Sequence, residues 1–147
     1  MRELKGNIFC AIGHCDAICV TTNGILRKNG DAICGRGIAL TAQQTFPDFE
    51  QKLVQLIQSD GNIPHLVLAS KGTAIVSFPT KYHWKDSSDM KLINKSAELL
   101  VKMANEQKWT CVLLPRPGCS NGGLQWDKVR PVLGQVFDSR FVIVDYV

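Results

Sequence analysis

The sequence predicts an α/β fold, a largely parallel sheet with helices on both faces. Two observations carry this. Short, near-continuous apolar runs, the mark of strands buried on both faces, recur at residues 16–20, 66–69, 74–78, 111–114 and 141–144. Between them lie stretches whose apolar residues follow helical spacing. In such sheets a ligand is held beyond the carboxyl ends of the strands. Chemistry is therefore expected in the loops after Val20, Phe78 and Leu114.

Taken in order, a first strand at residues 2–5 is the weakest element, and Ala17-Ile18-Cys19-Val20 is the clearest. The Gly35-Arg36-Gly37-Ile38-Ala39 segment leads into a helix. Phe49, Leu53, Leu56 and Ile57 keep the spacing i, i+4, i+7, i+8 of a second helix. Lys71-Gly72 is a turn between two strands. Met90, Ile93, Ala97, Leu100, Val101 and Ala104 form one continuous stripe, with Ser87 or Ser88 as the expected N-cap. Val129, Leu133, Val136 and Phe137 predict a last helix, with Pro131 in or just after its first turn, where a missing N–H costs little.

The bulk properties narrow the class. A chain of 147 residues has the size of one domain, so residues 1–147 are read as a single unit. No apolar run approaches the ~20 residues of a membrane helix. The start, Met1-Arg2-Glu3-Leu4-Lys5-Gly6, turns polar too early for a secretory signal, and a cytoplasmic location is expected. Of six cysteines, Cys19 and Cys111 lie inside apolar runs, as reduced core thiols do. No C-x-x-C pair occurs and the three histidines are scattered, which argues against a zinc site. The net charge of +4 favours an anionic partner without the basic run of a dedicated nucleic-acid binder.

The loops carry the functional signal. Gly35 to Ala39 lets backbone approach an anion at a helix N-terminus. After Leu114, Pro115-Arg116-Pro117-Gly118-Cys119-Ser120-Asn121-Gly122-Gly123-Leu124-Gln125-Trp126 is a second phosphate cradle candidate. It lacks the Gly-Lys-Ser/Thr of a Walker A loop and the spacing of a Rossmann fingerprint. Two such loops suit a diphosphate-bridged nucleotide. After Phe78, Lys81 stands just past a buried run, where an amine can serve as a nucleophile.

Together these segments resemble the macro domain family. Gly6-Asn7-Ile8-Phe9 and Asp16-Ala17-Ile18-Cys19-Val20-Thr21-Thr22-Asn23 are similar to its opening pattern. Gly35-Arg36-Gly37-Ile38-Ala39-Leu40, Phe78-Pro79-Thr80-Lys81-x-x-Trp84 and Gly118-Cys119-x-Asn121-Gly122-Gly123-Leu124-x-Trp126 are similar to the branch holding the DNA ADP-ribosyl glycohydrolase antitoxins and, more distantly, the terminal ADP-ribose protein glycohydrolases. The resemblance covers nearly the whole chain, in order. It implies a three-layer α/β/α fold with a six-stranded mixed, mostly parallel sheet and a cleft for ADP-ribose. It further implies that Asn7 and Ile8 meet the adenine. Gly35, Arg36, Gly37 and Ile38, with Gly118, Cys119, Ser120, Asn121, Gly122 and Gly123, would surround the diphosphate and distal ribose, with Thr80 also in the binding set. Asn23 would face the distal ribose, and Lys81 matches the branch's catalytic lysine.

Two departures bear on substrate. Asn7 stands where many macro domains carry an aspartate, as is common in the antitoxin branch. Gly122 stands where the protein-directed glycohydrolases carry a catalytic aspartate. The segment 24–32 is also longer than the matching loop of the antitoxin branch. The implied activity is removal of ADP-ribose from DNA or another acceptor, without metal or cofactor, by a monomer. Competing readings are a non-catalytic reader of ADP-ribose or a related nucleotide, and a phosphatase of ADP-ribose phosphate. The absence of an attached effector module favours an enzyme over a reader. His83, Trp84 and Lys85 beside Lys81 suit single-stranded DNA.

Overall fold

A computed structural model describes residues 1–24, 37–83, 86–119 and 122–146. The strands are β1 (Arg2–Lys5), β2 (Ala17–Asn23), β3 (His65–Ser70), β4 (Thr73–Lys81), β5 (Val112–Leu114) and β6 (Phe141–Asp145). The helices are α1 (Gly37–Thr45), α2 (Phe49–Asp60), α3 (Met90–Gln107) and α4 (Trp126–Gly134), and a 3-10 turn covers Ile8–Ala11. One six-stranded sheet has the order β1-β6-β5-β2-β4-β3. All neighbours are parallel except β3, which runs antiparallel to β4. This is the mixed, mostly parallel three-layer α/β/α architecture the sequence implies.

Strand alternation divides the core into two. Ala17, Cys19, Val76, Phe78, Val112, Leu114 and Ile143 face α3 and α4, which bring Ile93, Ala97, Leu100, Val129 and Leu133. Ile18, Val20, Ile75, Leu113 and Val142 face α1 and α2, which bring Ala42, Phe49 and Leu53. Successive residues of β2 thus enter opposite cores, which is why its sequence is apolar without a break. The β3–β4 hairpin turns at Lys71 and Gly72, with φ of 51° and 81°. Two consecutive positive φ values match the twist of a tight hairpin. Among the described residues no helix is long and apolar enough to cross a membrane.

Several boundaries differ from those expected. β2 runs past Val20 to Asn23, and β4 past Phe78 to Lys81, so Asn23, Thr80 and Lys81 are strand residues rather than loop residues. The two strands extend each other by continued parallel pairing. Pro79 is tolerated because β4 has already lost β3 as a partner beyond Ser77. The N-cap of α3 is Asp89, not Ser87 or Ser88; its carboxylate accepts from the N–H groups of Lys91 (2.9 Å) and Leu92 (3.1 Å). α4 starts at Trp126, which leaves Pro131 beyond the first turn. Asp127 and Pro131 are both exposed, so water can satisfy the carbonyl left without a donor. Val136 and Phe137 lie past the end of α4, where Phe137 stacks on Phe141 at 4.3 Å between centroids.

Asp16 precedes β2 rather than opening it. Its Oδ2 accepts from the N–H of Thr110 (2.8 Å), the Thr110 hydroxyl (3.2 Å) and the N–H of Cys111 (3.0 Å). These bonds, the Thr110 N–H first, hold its carboxyl below the usual range. They tie the start of β2 to the start of β5. A carboxyl with a folded pKa below its unfolded value, about 3.9, contributes fully above that value and loses its contribution as pH falls through the folded pKa. Asp16→Asn is therefore expected to lower stability at pH 7 by about 1 kcal/mol, a modest figure because the site is partly exposed. Denaturant unfolding from pH 7 down to pH 3 should show that difference shrinking below about pH 4.

Candidate functional site

The carboxyl ends of β1, β6, β5, β2 and β4 line up along one edge of the sheet, in that order. At the β2–β4 end the register carries an irregularity: Thr22 faces Pro79, but Asn23 faces Lys81. One extra residue, Thr80, has been inserted in β4. Such a bulge re-aims the side chains beyond it. Thr80 is only 5% exposed, while Asn23 and Lys81 are both partly exposed at adjacent strand ends. The Lys81 carbonyl accepts from the N–H of Gly24 (3.2 Å) and from Asn62 Nδ2 (3.1 Å).

The glycine loop after β5 is tied to the same corner. Ser88 donates its N–H to the Gly122 carbonyl (2.8 Å), and Asp89 donates its own to the Thr80 carbonyl (2.8 Å). The turn between β4 and α3 thus holds the bulge on one side and the loop on the other. Gly122 N–H reaches the Cys119 carbonyl (3.3 Å), and Leu124 N–H the Gly118 carbonyl (2.9 Å), closing the loop on itself. Gly118 and Gly123 have φ of 76° and 79°, the left-handed region that glycine enters without strain. A Cβ on Gly118 would lie 2.7 Å from Ile93 Cδ1, so this residue faces the core rather than the cleft. A Cβ on Gly122 would collide with the Ser88 hydroxyl, which is buried and has no hydrogen-bond partner among the described residues.

Other residues of the expected set are more dispersed. Asn7 is exposed at the end of β1, where its Oδ1 accepts from Phe9 N–H (3.0 Å) and caps the 3-10 turn. Ile8 has its side chain in the core facing α1 and α2, which leaves its backbone for a ligand. Gly37 opens α1 with φ 60°, and Ile38 is half-buried behind it. Burial pushes the Cys119 thiol up, with Arg116 opposing, so this sulfur stays protonated near neutrality. Gly35, Arg36, Ser120 and Asn121 lie outside the described residues, as do Trp84 and Lys85. Sequence reasoning missed Asn62, which carried no motif signal. It also missed Tyr146, 76% exposed directly after β6, where the Gly6 N–H donates to the Asp145 carbonyl (2.8 Å). An exposed aromatic just past the last buried strand was the available signal.

A separate open groove of about 570 Å³ runs between α4 and Met1, lined by Trp126, Asp127, Arg130, Pro131 and Gly134. It includes none of the expected site residues. Beside it, Glu3 accepts from Trp126 Nε1 (3.0 Å) and Arg130 Nε (2.8 Å), fastening edge strand β1 to α4.

No protein-family model matches the chain. It is 27% identical over 145 residues to a protein named DNA ADP-ribosyl glycohydrolase from Thermus aquaticus, covering 95% of this chain and 38% of that one. It is 28% identical over 111 residues to one of the same name from Mycobacterium tuberculosis, covering 71% of this chain and 32% of that one. The chain thus spans about a third of the length of these relatives. Among solved structures, the macrodomain of Thermus aquaticus DarG superposes with a TM-score of 0.79 at 26% identity, over 99% of this chain and 97% of that one. Thermosipho africanus DarTG in complex with ADP-ribose superposes with a TM-score of 0.78 at 22% identity, over 100% of this chain and 42% of that one. With its sheet order, its glycine loop after β5 and these likenesses, the chain has the fold of a macro domain.

Proposed function

We propose that this chain binds ADP-ribose along the carboxyl edge of its sheet and releases it from modified DNA in the cytoplasm. The observation that carries the reading is the pairing of Asn23 with Lys81 at adjacent strand ends, next to a glycine loop fastened to the same corner. Residues 1–147 are taken as one unit, acting as a monomer. The order of strand ends supports the direction of binding. Asn7 and Tyr146 stand at the β1–β6 end, the glycine loop follows β5, and Asn23 and Lys81 stand at the β2–β4 end. With strands about 4.8 Å apart, that edge is about 19 Å long, enough for a base, a diphosphate and a distal sugar laid in sequence. The likeness to relatives named DNA ADP-ribosyl glycohydrolase, and to a fold neighbour in complex with ADP-ribose, supports the same ligand.

In this reading the adenine lies by Asn7 and the Tyr146 ring, and loop amides meet the diphosphate. Asn23 fixes the distal ribose hydroxyls. The Lys81 nitrogen attacks the anomeric carbon, forming a carbon–nitrogen bond as the bond to the DNA base breaks, and the base takes the proton the amine loses. Water then displaces the lysine, giving ADP-ribose and restoring the amine. Fixing both reactants at neighbouring strand ends lowers the barrier by removing orientational freedom beforehand. Tyr82, 54% exposed next to Lys81, offers a ring on which an adjacent base can stack.

Lys81→Ala should keep its affinity for ADP-ribose within about threefold while losing release from ADP-ribosylated DNA by about 100-fold or more, because a nucleophile acts mainly in the transition state. Calorimetry and single-turnover assays would measure the two. If the wild-type chain binds ADP-ribose but leaves ADP-ribosylated DNA intact, it is a reader and not a hydrolase. Tyr146→Ala should weaken ADP-ribose by about 1–2 kcal/mol and ribose 5-phosphate not at all, if the ring stacks on adenine. Gly122→Ala should weaken ADP-ribose about tenfold as the loop is displaced. Combining it with Ser88→Gly, which removes the colliding side chain, should restore most of that loss; titration of the three proteins decides.

A further inference from the structure

We propose that Asn62 is a positioning residue for Lys81. Its side-chain amide donates to the Lys81 carbonyl at the end of β4 and fixes the backbone from which the lysine projects. This rests on the reading of Lys81 as nucleophile.

The need for such a residue follows from the sheet. Among the described residues, β3 pairs with β4 only as far as His65 opposite Ser77, so β3 adds nothing to the ladder beyond that point. On its other side, the bulge at Thr80 interrupts the ladder with β2 just before Lys81. The backbone at the end of β4 is thus placed by contacts other than a regular ladder, at the position where an error of about 1 Å costs most in rate. Asn62 sits in the short turn between α2 and β3. Its Nδ2 donates to the Lys81 carbonyl (3.1 Å), and the Gly24 N–H donates to the same oxygen (3.2 Å), so both lone pairs of that carbonyl are used.

The donor is itself held. His65 Nε2 bonds to the Gly61 carbonyl (2.9 Å), and His65 N–H to the Ser77 hydroxyl (3.0 Å), which pin the turn on both sides of Asn62. A Cβ on Gly24 would lie 2.7 Å from both Cγ and Nδ2 of Asn62. Gly24 is thus needed for space: its Cα lies against the amide. Asn62 is partly buried. The arrangement joins three separate segments at the carbonyl of the residue whose side chain is proposed to react.

The test compares wild type with Asn62→Asp, which keeps the shape but removes the donor, and with Gly24→Ala, which pushes the amide away. The readouts are single-turnover release from ADP-ribosylated DNA, ADP-ribose affinity by calorimetry, and the Cε NMR signal of Lys81 in lysine-labelled protein without ligand. Both variants are expected to lose rate about tenfold or more with affinity changed less than about twofold, and to shift the Lys81 signal. A rate that falls only in step with affinity or melting temperature, or that does not fall, overturns the positioning role. If wild type shows no release at all, the proposed activity fails instead. The Lys81 signal then decides alone: displaced in both variants, it upholds the role of Asn62, and unmoved, it removes it.

Discussion

The pairing of β2 with β4 governs this molecule more than any other contact. The two strands run side by side from Ala17 opposite Ala74 to Thr22 opposite Pro79, through the centre of the sheet, and then slip by one residue. A one-residue slip in a strand exchanges the faces to which side chains point. Without it, Asn23 would stand opposite Thr80, a buried hydroxyl, instead of Lys81. The chemistry proposed for the cleft is therefore a consequence of register.

That register is protected by both cores. β2 sends alternate side chains into two layers of helix, with Ala17, Ile18, Cys19 and Val20 fully buried. A shift anywhere along it would move an apolar set out of one core and into the other, where side-chain volumes no longer match the packing. At the amino end, the Asp16 carboxylate joins β2 to β5. At the carboxyl end, the Lys81 carbonyl joins β4 to Gly24 and to the Asn62 turn. The β4–α3 turn extends this restraint to the glycine loop through Ser88 and Asp89. Strand, bulge, turn and loop thus form one connected scaffold for a ligand that must be held at both ends.

The same scaffold explains the unusual glycines of the late loop. Gly118 is a glycine because Ile93, Leu124 and Ser88 crowd it and its φ is positive; Gly122 is one because the Ser88 side chain fills the place of its Cβ. Both are packing requirements beneath the cleft. Only Gly123, exposed and left-handed, has the open surroundings of a backbone meant to meet a ligand. A glycine-rich sequence reads as one cradle, but its members divide into those that fit the loop to the core and those that face out.

The sequence by itself determined the class of fold, because unbroken apolar runs and helical stripes are local patterns that follow from burial on two faces. It also determined the hairpin at Lys71-Gly72 and the order of loops along the chain. It placed strand ends too early, at Val20 and Phe78, because threonines and a proline look like loop residues until a neighbouring strand extends them. It chose serines over Asp89 as the cap of α3 since all three suit the position, and only the path of the chain decides. What the tertiary structure alone decided was which residues face one another: Asn23 with Lys81, Ser88 with Gly122, and Asn62 with the Lys81 carbonyl. Each of these pairs joins segments far apart in the chain, and their meeting depends on sheet order and on a single inserted residue, neither of which leaves a periodic trace.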